Sequence, residues 1–463
     1  MEGGGMSAAV KEIGGTNPRR FKPYPAYKDS GIEWLGEIPT HWTVTKLKRI
    51  GSLQAGAGFP DDEQGVATEE IPFFKVGDMG TAGNKREMIE WQHTVSEETA
   101  RRLRAYVFPP NTIVFAKVGA ALLLNRRRLL TRRSCLDNNM MGFTPGACDV
   151  TWAFHWLSGL DLARLANPGA VPSVNEGQMR DTPVVLPPEN EQRAIATLLD
   201  RETAKIDALV ATKEQQIDLL QEKRTSLITR AVTKGLDPNV PMKDSGVEWL
   251  GEIPASWEME QIKRVARVFG RIGFRGYTTG DLVGEGEGAL TLGASQIADD
   301  GSIDLHAPVY LSWAKYHESP EIMLANDDLL VVQRGSCGRV GHFQGVEQET
   351  TINPSLVVLK RLRVLPRFLF YVLNSDFVQR QFSLFTSATA VPMLSQEQIG
   401  NVALALPDPG TQDRIAAFLD AQLKFVDAAI GKIREGTACS REFRSALISA
   451  AVTGKIDVRE EAA

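Results

Sequence analysis

Cysteine is scarce: Cys135, Cys148, Cys337 and Cys439 are the four thiols in 463 residues, and no two stand in a CxxC spacing. That excludes a disulfide framework or a zinc knuckle and leaves reduced core or surface thiols. The six histidines, His41, His93, His155, His306, His317 and His342, are scattered and form no HExxH pair. No apolar run approaches the roughly 18 to 20 residues that cross a bilayer, and the opening "MEGGGMSAAVKEIGGTNPRR" lacks the apolar centre of a secretory signal. A cytoplasmic protein is expected, with residues 1–20 a disordered tail. Catalytic strings are missing too. There is no Asn-Pro-Pro-Tyr or Asp-Pro-Pro-Tyr of an amino-methyltransferase, and no Pro-Asp followed by the acid-x-Lys of a nuclease. "GEGEG" from Gly284 places Glu285 and Glu287 where a phosphate cradle would be repelled, and "TGKI" at Thr453 lacks the upstream glycine of a P-loop. The chain reads as one that binds and positions, without catalysis of its own.

What is present is a repeat. "KDSGIEWLGEIP" at Lys28–Pro39 returns as "KDSGVEWLGEIP" at Lys243–Pro254, with Ile32 replaced by Val247. "VPSVNEGQMRDTPVVLPPENEQRAIATLLD" from Val171 aligns with "VPMLSQEQIGNVALALPDPGTQDRIAAFLD" from Val391, and "RTSLITRAVTKGLD" at Arg224 with "RSALISAAVTGKID" at Arg444. Each half therefore has a like opening, a divergent body, a like exit strand ending in Leu-Pro and a long tail segment. The length also exceeds what one core usually supports. Within the opening string, Trp34, Leu35, Ile38 and the following Trp42 are expected to pack at a domain entrance.

From Glu189 to about Val232 there is no glycine or proline, and Ile195, Leu199, Glu202, Ile206, Leu209, Lys213, Ile217, Leu220, Arg224, Leu227 and Ala231 fall at steps of three and four. This is a helix with a coiled-coil-like seam. Its expected partner is the second tail segment, where Ile415, Leu419, Val426 and Ile433 continue the pattern, weakened by Gly431 and Gly436. Connectivity favours an antiparallel pair, against the alternative of two unrelated surface helices. The bodies carry short β-prone runs such as "TIVFAKVG", "DLLVVQRG" and "PSLVVLKRL", so the fold class is α+β, with two repeated mixed α/β domains joined by two long helices. The expected boundaries are domain 1 at 21–185, helix 1 at 186–235, domain 2 at 236–405, helix 2 at 406–457 and a tail at 458–463.

The formal net charge of −5 argues at first against a nucleic-acid partner, but its distribution argues the other way. Thr99 to Leu136 holds no acid, while Arg101, Arg102, Arg104, Lys117, Arg126, Arg127, Arg128, Arg132 and Arg133 are basic. Gln261 to Gly280 holds Lys263, Arg264, Arg267, Arg271 and Arg275 without an acid, and Pro354 to Ser375 holds Lys360, Arg361, Arg363 and Arg367 likewise. Phosphate neutralisation requires such local clusters, whatever the sign of the whole chain.

The order "KDSGxEWLGEIPxxW", variable body, "LPPENEQRAIATLLD", "LITRAVTKGLD", given twice, resembles the DNA-specificity subunit of type I restriction-modification systems. "DDLLVVQRGSCGRVG" from Asp327 is similar to a segment of that family's target-recognition domains; "NTIVFAKVGAALLLNRR" keeps Lys117 and Gly119 but departs afterwards. The resemblance implies two target-recognition domains, each reading half of a bipartite, asymmetric DNA sequence, with the paired helices as spacer. It implies two methyltransferase subunits that bring S-adenosylmethionine, and restriction subunits that bring ATP and magnesium, this chain binding no cofactor. The divergent bodies would read different bases, while the repeated string and helices are scaffold. Candidate DNA contacts are Lys117, Arg126, Arg127, Arg128, Arg132, Arg133, Arg271, Arg275, Gln333, Arg334 and Arg339, with Gln333 and Arg334 as base readers and Arg126 to Arg128 on phosphates. Two rivals are a stand-alone DNA-binding regulator and a structural coiled-coil adaptor.

Overall fold

The computed structural model describes residues 21–167, 171–271, 276–298, 300–386 and 392–459; the tail expected at 1–20 lies outside them. The described chain forms two compact units. Unit one comprises the chain through Lys213 and again from Glu435, and unit two is Glu214–Arg434. The division falls inside both long helices, so each unit owns half of each.

In unit one the repeated string folds as a hairpin, Tyr27–Asp29 against Glu37–Pro39. Its loop is closed by the Asp29 carboxylate accepting from the Gly31 amide and the Ser30 hydroxyl accepting from the Ile32 amide. Gly31 and Gly36 take positive φ (70° and 66°), which the turn demands and a side chain would resist. Strand Thr43–Lys46 then pairs antiparallel with the exit strand Pro183–Leu186. A five-stranded sheet lies between these elements, with Met140–Pro145 antiparallel to both Gly51–Ala55 and Ile113–Ala116.

Unit two repeats the plan. Met242–Asp244 pairs with Glu252–Pro254, Glu258–Gln261 with Ala403–Leu406, and Leu356–Lys360 lies between Arg267–Gly270 and Leu329–Val332. The short helix before each exit strand opens on the same capping box. Asn175 and Gln178 exchange side-chain bonds with each other's amides at 2.8 Å, as Ser395 and Gln398 do at 2.8 and 3.0 Å.

The long helices run Glu189–Lys234 and Pro409–Val452. Forty-six residues make the first about 69 Å long at ~1.5 Å per residue. Gly235 and Gly454, at φ 77° and 74°, follow their ends. Within unit one the halves are antiparallel: Asp207 pairs with Arg444 at 2.8 Å, and Lys213 Nζ donates to the Gly436 carbonyl at 2.9 Å. Gly436, which weakens the apolar pattern, is what admits that lysine, since a Cβ there would stand 2.9 Å from Lys213 Nζ. In unit two, Arg224 meets Asp427 at 3.1 Å.

Ile195 and Leu199 are fully buried in the first unit's core together with Leu447, Ile448, Ala451, Val452 and Val458, and Ile415 and Leu419 in the second's with Ile228, Ala231 and Val232. Ile206, Ile217, Leu220, Val426 and Ile433 are half-buried along the helices. Leu209 does not belong to that seam: it is 48 % exposed, and Val210 takes the inward position one residue on.

Each helix start is bolted to its own body by equivalent side chains. Gln192 donates to the Pro187 carbonyl and accepts from the Asp149 amide, and Gln412 does the same with the Pro407 carbonyl and the Leu365 amide. Two turns further along, Asp200 accepts from His155 Nε2 (2.6 Å) and pairs with Arg86, while Asp420 accepts from the Tyr371 hydroxyl and pairs with Arg367.

Candidate nucleic-acid interface

The two bodies place equivalent strand ends at the same point of the sheet. Strand Ile113–Ala116 ends in Lys117, whose amide donates to the Asn139 carbonyl while its own carbonyl accepts from the Val174 amide; Leu329–Val332 ends in Gln333, bonded in the same way to Ser355 and Leu394. Val118 bridges Ser173 as Arg334 bridges Met393, and Gly119 and Gly335 follow at φ 74° and 83°. Lys117 is therefore the counterpart of Gln333, and Val118 of Arg334. Identical main-chain anchorage carries unlike side chains.

Several candidate DNA contacts turn inward. Gln333 is 8 % exposed, and its amide donates to the carbonyls of Pro354 (2.9 Å) and Leu356 (3.4 Å), so it ties the strand end together and has no free donor to offer an adenine. Arg127 is 4 % exposed, donates to Leu160 O, Arg126 O and Asn125 Oδ1, and lies over the Phe115 ring. Burial, only partly offset by Asp161, pulls its pKa down. Arg128 is spent on the carbonyls of Asn84, Arg127 and Met79. Arg271, 6 % exposed, donates to Ile352 O and stands over Tyr277. These four are interior struts, because a guanidinium or amide beside unpaired loop carbonyls is drawn in to satisfy them.

Others reach the surface already engaged. Arg133 pairs with Glu97 at 2.8 Å, Arg132 covers Trp91 and donates to the Glu70 carbonyl, and Arg339 donates to Ile297 O and Ser336 Oγ. Arg275 lies outside the described residues. Three candidates remain available: the side chains of Lys117, Arg126 and Arg334 bond to no described residue, and Arg126 and Arg334 are exposed. Arg101 and Arg104 in the first body, and Arg264, Arg267, Arg361 and Arg363 in the second, are likewise exposed.

Apolar side chains accompany these cations. After Gly119 a single helical turn, Ala120–Leu123, leads to Arg126, leaving Leu123 and Leu124 54 % and 58 % exposed; Val171, on the segment that pairs with this loop, is 60 % exposed. In the second body the Arg334 loop borders an open concavity of about 460 Å³ formed by Gly335 to Arg339 with Gln379, Thr386 and Pro392, and Met393 and Leu384 stand exposed on the same flanking segments. A cation beside exposed aliphatic groups suits base edges and thymine methyls better than phosphate alone. Sequence reading missed these residues because an aliphatic next to a strand is ordinarily core. The one available signal was a leucine run ending directly in arginines. Among the described residues no cluster of His, Cys, Asp or Glu is arranged to hold a metal, and no helix is long and apolar enough to cross a membrane.

Residues 39–219 match the type I restriction modification DNA specificity domain. The chain is 23 % identical over 295 residues to the type I restriction enzyme MjaVIII specificity subunit of Methanocaldococcus jannaschii, covering 62 % of this chain and 65 % of that one. To the EcoBI specificity subunit of Escherichia coli it is 21 % identical over 440 residues, covering 92 % and 89 %. The chain thus spans about two thirds of the first relative and most of the second. A solved structure described as the structural basis of complex assembly and conformational transition of the type I R-M system aligns at a TM-score of 0.62 and 15 % identity, over 90 % of this chain and 98 % of that one, which establishes the fold.

Proposed function

From a chain whose residues 39–219 belong to the type I restriction modification DNA specificity domain family, we propose a sequence-specific DNA-binding subunit of a type I restriction-modification complex. It reads a bipartite, asymmetric target and directs adenine methylation and restriction carried out by partner subunits in the cytoplasm. The observation that carries the reading is the pair of strand ends. Lys117-Val118 and Gln333-Arg334 hang from the same main-chain bonds but carry different chemistry, as two readers of different half-sites on a common frame would.

In each body the available cations divide into two roles. Lys117 and Arg126 in the first, and Arg334 in the second, stand beside exposed aliphatic residues and contact bases. Arg101, Arg104, Arg264, Arg267, Arg361 and Arg363 hold phosphates and set register. The chain itself is non-catalytic and binds no cofactor; S-adenosylmethionine belongs to the methyltransferase partners, ATP and magnesium to the restriction subunits. A target adenine must leave the base stack to reach a partner's active site, so the assembled complex distorts its DNA.

The test is to co-express the chain with a type I methyltransferase subunit from the same genome and map N6-methyladenine by single-molecule sequencing. One bipartite motif, lost when this chain is deleted, is expected. Tight binding to a DNA site by the solitary chain, with no methyltransferase complex, would instead establish a stand-alone regulator.

A further inference from the structure

The repeated hairpin is more alike than packing requires. Leu35, Ile38 and Trp42 are buried as core residues should be, but Trp34 is 55 % exposed and its counterpart Trp249 is 53 % exposed. Trp34 therefore departs from the packing role expected of it. Around each indole the surface residues are also the same, Lys28, Asp29, Glu33 and Glu37 in one hairpin and Lys243, Asp244, Glu248 and Glu252 in the other, all exposed. Burial explains why Ile38 and Ile253 agree; it gives no reason for outward side chains to agree while the bodies behind them have diverged. A single exposed apolar residue is unremarkable, whereas the same indole set in the same charged frame on both repeats marks a surface that must be met twice.

We propose that the Trp34 and Trp249 hairpins are twin docking knobs, each inserting its indole into an apolar pocket on one copy of the same partner chain, a pocket flanked by basic side chains. Resting on the functional reading above, that partner is the methyltransferase subunit. Each hairpin carries one lysine against three carboxylates, with a second lysine, Lys455 or Lys234, at its far strand, so the knob stays net acidic and favours a basic pocket over phosphate. The knob is also rigidly presented. Its loop is closed by the Asp29 and Ser30 side chains, and its second strand is held at the helix end by Lys455 Nζ donating to the Glu37 carbonyl at 2.7 Å. The second knob is built alike: Asp244 and Ser245 close the loop, and Lys234 Nζ reaches the Glu252 carbonyl. Tryptophan in a preorganised turn, ringed by charge, is the residue type that concentrates binding energy at an interface.

The experiment is calorimetric titration of the full chain with a type I methyltransferase subunit from the same genome, with native mass spectrometry for stoichiometry. The unaltered chain takes two copies. Trp34→Ala and Trp249→Ala each weaken one site about 30-fold and leave the other unchanged, and the double variant weakens both. Glu33→Lys, which leaves the indole in place, weakens the first site alone. Wild-type affinity at both sites in the double variant, with an unchanged melting temperature, would overturn the docking inference while leaving the functional reading intact. No binding by the unaltered chain would overturn the functional reading itself.

Discussion

Arg126 and Arg127 are neighbours in sequence and opposites in role. Arg127 lies inside the first body on three acceptors, whereas the Arg126 side chain is exposed and bonds to no described residue. Replacing Arg127 by alanine leaves the Leu160 carbonyl without the guanidinium donor and opens a cavity, while Asn125 Oδ1 keeps the Leu162 amide, so a loss of about 3 kcal/mol of stability is expected, with the salt dependence of DNA binding unchanged in the material that folds. Arg126→Ala is expected to leave the melting temperature alone, to weaken binding to the target by about 1–3 kcal/mol and to relax specificity at the base it reads. Thermal melts and binding isotherms at several salt concentrations separate the two, and a stable, weak-binding Arg127→Ala would refute the assignment. Composition marked the acid-free stretch correctly as basic, but it could not say which way each guanidinium points. That depends on which loop carbonyls fold lacks partners for, as at Met79, Asn84 and Leu160.

At the scale of elements, the start of each long helix is held by a polar clamp, and the two clamps answer differently to pH. In the first, burial lowers the pKa of His155 despite Asp200 beside it, so the neutral imidazole donates from Nε2. Asp200 is held below the usual carboxylate range by His155 and Arg86 although burial opposes its charge. An unfolded histidine takes up a proton near pH 6.5, whereas the folded one resists until lower pH, so the unfolded state binds more protons and stability falls as pH drops below about 6.5. Asp200 adds a further loss as pH falls through its depressed folded value. The second clamp uses the Tyr371 hydroxyl, raised by burial and by Asp420, and does not titrate in that window. His155→Gln is therefore expected to flatten the acid limb of unit one's stability between pH 5 and 7. Urea denaturation followed by amide exchange across this range measures it, and an unchanged limb would show that the clamp is not the sensor. The helices were legible in the sequence because their apolar spacing persists over many turns. The seam slipped by one position at Leu209 because Val210 offers an equally apolar choice and periodicity alone does not rank them.

At the scale of the whole chain, the repeat was legible because two copies of one pattern vouch for each other, whereas the sheet topology of the bodies was not. Their strands are short, and pairings such as Ala55 with Met141 or Gly270 with Val357 join residues more than eighty positions apart. The compact units do not follow the repeat in sequence either. Unit two is one continuous stretch, Glu214–Arg434, while unit one is closed by residues after Glu435, with Leu447, Ile448, Ala451, Val452 and Val458 in its core and Gly454 against Trp42. A chain ended after Arg434 is expected to keep a protease-resistant unit two and to lose unit one, the outcome limited proteolysis with mass mapping would read. Survival of the first body would show that its core closes without the last helix.

This arrangement also fixes an order of synthesis. The first of the two bodies to leave the ribosome stays open along the face that Leu447 to Val458 will cover until those residues have emerged, whereas the second has all its parts once Arg434 has emerged. A nascent chain stalled before Leu447 thus exposes an unfinished apolar core to chaperones and proteases even when its second unit has already closed.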